Sequence, residues 1–246
     1  MAGMPESKYS GKSIRSRVIS FQAFKLPGFQ AYLKEPVISN LKKKYNMIVS
    51  YETATARSVA LAVIRPKPFS VWEVLIPIIF IFGFMKSKET REVFAQNVLF
   101  TKKLAMQAAF DMLKKGQTRE SVMEGVRSKT QEMIAAVPGG IYSAEIRQEQ
   151  LKEIDLLVDH YCRLLNSEGE DYDSLVFNAY QTPKRLADFF EQLQKAEENV
   201  GRAAHNTLGG NADTATLDKM NAALRNIRHK FTEKIFHTRL QSQNAQ

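Results

Sequence analysis

The sequence predicts an all-α protein: a C-terminal helical bundle preceded by a basic N-terminal half with an apolar, Pro-interrupted membrane-associating helix. Three observations predict it. From Lys88 onward, apolar residues recur three and four apart, the period of one helix face. Gly116, Pro138-Gly139-Gly140 and Thr182-Pro183 separate these stretches, and they read as helix stops and starts. Residues 69–85, FSVWEVLIPIIFIFGFM, form a nearly unbroken apolar run of 17 residues between basic flanks. Three regions follow: a basic N-terminal region over 1–65, an apolar membrane-associating or core segment over 66–88, and a helical bundle over 89–246.

The charge is uneven. Residues 1–103 hold 17 Lys and Arg against 6 acids, a net of +11, whereas residues 104–246 hold 18 against 20, a net of −2. A basic half beside a near-neutral half points to an anionic partner, lipid headgroups or nucleic acid. The single cysteine, Cys162, excludes an internal disulfide framework and suits a reducing compartment. No apolar segment follows the first basic residues, so no secretory leader is expected. Neither Met1-Ala2-Gly3 nor the final Asn244-Ala245-Gln246 carries a lipidation signal, so any membrane contact falls to the chain itself.

Taken in order, residues 1–20 are rich in Ser, Lys and Arg, lack periodicity and are expected to be loosely held. Gly11-Lys12-Ser13 is not a phosphate-binding loop, because Glu6 stands where the motif needs its first glycine. Phe21, Phe24, Phe29 and Tyr32 surround a Pro27-Gly28 break and read as packing residues. Pro36 opens a short helix that ends at Lys42-Lys43-Lys44. Residues 47–64 fit a strand or a helix, and the alanines favour a helix. Arg65-Pro66-Lys67-Pro68 breaks any regular element.

The apolar run falls between the length of a core helix and the roughly 20 residues of a membrane span. Pro77 rules against an unbroken straight helix and Gly83 weakens it further. Both flanks are basic, so neither is marked as the far side of a bilayer. A re-entrant or interfacial segment fits, touching lipid through Phe69, Trp72, Val74, Leu75, Ile76, Pro77, Ile78, Ile79, Phe80, Ile81, Phe82, Phe84 and Met85. Lys42, Lys43, Lys44, Arg65, Lys67, Lys86, Lys88 and Arg91 are the matching contacts to anionic lipid or phosphate. The competing reading is a buried central helix of a bundle.

Beyond it, 89–115 places Val93, Phe94, Val98, Thr101, Leu104, Ala105, Ala108 and Met112 on one stripe. Phe100, Met106, Phe110 and Leu113 add a second apolar face, so this helix touches more than one neighbour. Thr118 caps a helix over 119–137, and Ser143 caps another that runs to Leu165. The acidic loop 166–173 lacks the ligand spacing of a calcium loop and reads as a solvated linker. A short helix covers 174–180, and Thr182-Pro183 starts one that runs to about Ala204. Leu217, Met220, Leu224, Ile227 and Phe231 form the seam of a last helix over 214–240.

No catalytic, cofactor or metal residues are assigned. The four histidines make no His-x-x-x-His pair, and His229, Glu233 and His237 read as solvated charges on one helix face. Asp155, Asp159 and His160 fall near a mostly polar face, and Cys162 reads as packing. The expected function is that of a membrane-associated interaction or scaffold protein on the cytoplasmic side, with membrane lipid and a protein as partners. The alternatives are a soluble nucleic-acid-binding protein and an enzyme at the membrane interface, with Glu73, Arg91 and Glu92 as its nearest candidates.

Overall fold

The computed structural model describes residues 27–64, 90–136, 142–207 and 214–243. Among these, all regular structure is helical: α1 Pro27–Val63, α2 Thr90–Lys115, α3 Arg119–Ala136, α4 Ala144–Asn166, α5 Tyr172–Tyr180, α6 Pro183–Thr207 and α7 Thr214–Gln243. The apolar run 69–85 lies outside the described residues, as do Pro138-Gly139-Gly140 and the loop 208–213. The chain divides into two compact units, Met1–Val37 and Ile38–Gln246. The described part of the first is the opening of α1; the core and the cavities below belong to the second.

Residues 47–63 are helical, as the alanines suggest, but no helix ends at the lysine triplet. MIVSY and VALAV lie on the same helix, α1, about two turns apart. Ile48, Glu52, Ala56, Val59 and Val63 are spaced four, four, three and four, and all are buried on one stripe. Ala56 and Ala60 of α1 share a small apolar cluster with Ala95 and Leu99 of α2.

α4 is the central element. It packs chiefly between α2 and α6, with α3 and α5 alongside, and α7 lies against α6. Ile154, Leu157, Tyr161 and Leu164 are each at most 1 % exposed. Burying an aliphatic side chain of this size contributes about 1.5–3 kcal/mol, so this one stripe anchors the larger of the two cores. Of the second apolar face expected of α2, Phe100 and Met106 are buried and Phe110 and Leu113 half-buried, while Phe94, Leu104 and Ala105 of the first stripe are buried as well.

The boundaries have local causes. Gly116 takes φ +64°, the left-handed conformation that closes a helix without a Cβ penalty. Thr118 Oγ1 accepts from the Ser121 N–H at 3.2 Å, and Ser143 Oγ accepts from the Ile146 N–H at 3.2 Å. Asp171 and Ser174 form a reciprocal capping box, which starts α5 two residues before the expected Ser174. Thr182 Oγ1 accepts from the Arg185 N–H at 3.3 Å, with Pro183 at the first helical position.

Candidate functional site

Charged residues appear where the helix stripes call for apolar ones. On α4, Gln150, Glu153 and His160 share the buried face with Ile146, Ile154 and Leu157. Lys102 of α2 and Arg228 of α7 are also buried, as is Glu52 of α1. A buried charge is tolerated when it is paired and hydrogen-bonded, and the pairing here runs between helices. Lys102 Nζ lies 2.6 Å from Glu52 Oε2. The Tyr161 hydroxyl donates to Glu52 Oε1 at 3.0 Å. Arg228 grips Glu197 with two parallel bonds of 2.8 and 2.6 Å, the fork geometry that favours arginine over lysine.

Glu153 differs. The Thr101 hydroxyl donates to its Oε1 at 2.7 Å, but among the described residues no cation comes within ion-pair distance. Burial, and after it the neighbouring Glu197 charge, push its carboxyl up to about 7; the Thr101 hydroxyl, Lys102 and Arg228 pull the other way. His160 shares a 2.6 Å hydrogen bond with the Tyr180 hydroxyl and stacks on Phe189 at 4.3 Å. Burial, together with the positive Lys102, Arg163 and Arg228, lowers its pKa to about 3, so the ring stays neutral. The sequence places His160 near a polar face; in the fold it is only 4 % exposed, because Tyr180 and Phe189 close over it.

Two cavities adjoin this network. One, of about 50 Å³, is lined by Phe94, Asn97, Val98, Thr101, Glu153, Glu197, Val200, Gly201, Met220 and Leu224. Asn97 is 2 % exposed, and neither its Nδ2 nor its Oδ1 has a partner. The other, of about 30 Å³, lies among Glu52, Lys102, His160, Arg228 and the aromatic rings of Tyr51, Tyr172 and Phe231.

The lysine triplet separates into three environments. Lys42 is exposed, Lys43 pairs with Glu170, and Lys44 is buried with its Nζ 3.5 Å from the Leu165 carbonyl and 3.9 Å from Glu168. The acidic loop after α4 is therefore matched to the lysines of α1. Arg91 is exposed, and its Nε donates to the Ile64 carbonyl at 3.2 Å. Arg65, Lys67, Lys86, Lys88 and the whole lipid-contact set from Phe69 to Met85 lie outside the described residues.

Of the chemistry weighed from sequence, Arg119 bonds both Asp155 and Asp159. Cys162 is half-buried beside Met112 Sδ at 4.0 Å, and burial raises its thiol pKa. His229 meets Glu233 at 3.3 Å on an exposed face. Glu92 accepts from Arg57 and Gln96. Among the described residues, no three His, Cys, Asp or Glu are grouped to hold a metal, and no helix is long and apolar enough to cross a membrane. Sequence reading missed Glu52, Asn97, Lys102, Glu153, Glu197 and Arg228. The available signal was a polar residue on an otherwise apolar stripe, as at Gln150, Glu153 and Arg228. Comparison with known proteins finds no matching family model, no matching curated protein and no matching solved structure.

Proposed function

We propose that this chain is a membrane-associated helical interaction protein, held on the cytoplasmic face by residues 66–88, with its bundle presented to a protein partner. The observation that carries the reading is the 3.2 Å hydrogen bond from Arg91 Nε to the Ile64 carbonyl. It brings the two ends of the stretch 65–89 to one place on the bundle. A membrane-crossing helix takes about 20 residues and covers about 30 Å. Only five of the 25 residues would then remain for the return, and five extended residues reach about 17 Å. A single crossing is too long for this joint. A dip that turns at Pro77, the midpoint of 65–89, has arms of 12 residues. Each arm as a helix reaches about 18 Å, roughly half of the hydrocarbon core.

The described charges support the same reading over the nucleic-acid alternative. Lys43, Lys44, Arg57 and Lys102 each face a carboxylate. The positive excess of the first half therefore falls mainly on residues 1–34 and on the flanks of the apolar run, where anionic headgroups would meet it. A groove of about 680 Å³ between α1, α2 and α3 suits the partner: Val49, Leu104 and Val126 line it, with Lys103 and Lys129 beside them.

Fractionation tests the proposal. The full chain should resist high-salt and alkaline washes of membranes and be released by detergent, because apolar burial is not screened by ions. Tags at both termini should be reached from the cytoplasmic side only. Removal of residues 66–88 should leave a salt-sensitive attachment or none. A full-length protein that remains monomeric in buffer without detergent would refute the proposal and favour a core helix for 69–85.

A further inference from the structure

We infer that the cavity beside Asn97 and Glu153 binds a small primary ammonium ion carrying a short apolar tail. Three features define that ligand. The first is the charge count. Glu52 with Lys102 and Glu197 with Arg228 are two neutral pairs, and Glu153 is the odd carboxylate, 6 % exposed and without a counter-ion among the described residues. The second is the hydrogen-bond count. Thr101 donates to Glu153 Oε1, and one turn before Thr101 the buried Asn97 carries an unpartnered Oδ1 for a donor, with its Nδ2 likewise unpartnered. An ammonium head supplies both a positive charge and three N–H donors. Leaving a buried polar atom unmatched is destabilising. The third is the wall. Phe94, Val200, Met220 and Leu224 make most of the lining apolar, which suits an alkyl tail better than the hydration shell of a metal ion. The volume of about 50 Å³ exceeds the 10–15 Å³ that one water takes by the same measure, so there is room for a group of a few heavy atoms. The inference is independent of membrane attachment, since every residue lining the cavity belongs to α2, α4, α6 or α7.

The test is titration of the full chain with n-butylammonium chloride at a pH above 7, where Glu153 is ionised, followed by calorimetry and by the side-chain amide resonances of Asn97. Sodium chloride, potassium chloride and n-butanol serve as parallel arms at matched ionic strength. Saturable binding by butylammonium, with the Asn97 amide signals shifting and the two inorganic salts and butanol silent, is the expected result. Glu153→Gln, which keeps shape and removes charge, should weaken binding at least tenfold. If that variant does not fold, Asn97→Leu, which removes the second acceptor and narrows the cavity, should abolish the saturable calorimetric binding of butylammonium while the protein remains helical. Equal binding by butanol would overturn the role of the charge. Saturation by sodium or potassium with the same Asn97 shift would replace the organic ligand by a metal ion. No saturation in any arm would mean that the cavity holds water alone.

Discussion

Lys102 of α2 and Glu52 of α1 are only 5 % and 6 % exposed, and their charged atoms are 2.6 Å apart. Removing one partner of such a pair leaves the other charged in a dry interior, a cost of about 3–5 kcal/mol, whereas an apolar replacement of both is often neutral. Lys102→Met should therefore destabilise the fold by that amount in urea unfolding. The double variant with Glu52→Leu should recover much of the loss, short of the part owed to the Tyr161 hydroxyl, which would lose its acceptor. A double variant less stable than Lys102→Met would show that the pair is more than mutually compensating.

His160 gives the fold an acid limit. Its folded pKa is about 3, below the ordinary 6.5, so the unfolded chain takes up a proton that the folded one refuses. Stability from this group is complete above pH 6.5 and is lost progressively as pH falls toward 3. His160→Phe removes the titration while keeping a ring against Phe189, at the expense of the Tyr180 hydrogen bond. The variant should be less stable at pH 7 yet show a shallower loss of stability between pH 6.5 and 4. Parallel pH profiles for the two proteins would contradict the assignment.

Glu153 acts in the opposite sense. Its folded pKa, near 7, lies above the ordinary 4.5, so the folded state holds a proton that the unfolded state has released. Its contribution is complete below pH 4.5 and is lost as pH rises through 7, by at most about 3 kcal/mol for a shift of this size. Glu153→Gln should flatten that part of the profile. Because His160 loses stability downward and Glu153 upward, the wild-type curve between pH 4.5 and 6.5 is a difference of two slopes, and only the pair of variants resolves it.

Two glycines separate steric from conformational cost. At Gly116 an added Cβ meets nothing within 4 Å, but φ is +64°, so Gly116→Ala carries the left-handed penalty of about 1–2 kcal/mol. At Gly169 the Cβ would stand 2.8 Å from the Leu175 backbone nitrogen and 2.5 Å from Ser174 Oγ, within the capping box of α5. Backbone cannot move aside as a side-chain end can. Gly169→Ala should lower the melting temperature more than Gly116→Ala does.

The helical class and most ends of α2 to α7 were legible because they depend on neighbours in sequence. A three-four period, Gly116, Ser143 and Thr182-Pro183 each act within a few residues of themselves. The continuity of α1 was not: the alanines favour a helix over 47–64, but Pro36 and Lys42-Lys43-Lys44 read as the bounds of a separate short helix, and the burial of Lys44 beside the Leu165 carbonyl depends on a residue 121 positions away. The interior charges were the hardest to read. Glu52 and Tyr161 are 109 positions apart, and Arg228 and Glu197 are 31 apart. A lone Lys or Arg on a helix belongs by default to its solvated face, and nothing local to Lys102 says that a carboxylate from another helix waits for it.

The joint at Ile64 and Arg91 also makes the intervening stretch a cassette. Closing a flexible loop costs only about 0.6 kcal/mol more for each doubling of its length. What is threaded between those two residues can thus lengthen, shorten or change its solvent preference without shifting the register of α1 against α2. The bundle is in that sense a socket: a different segment spliced between the same two residues would leave its interior untouched.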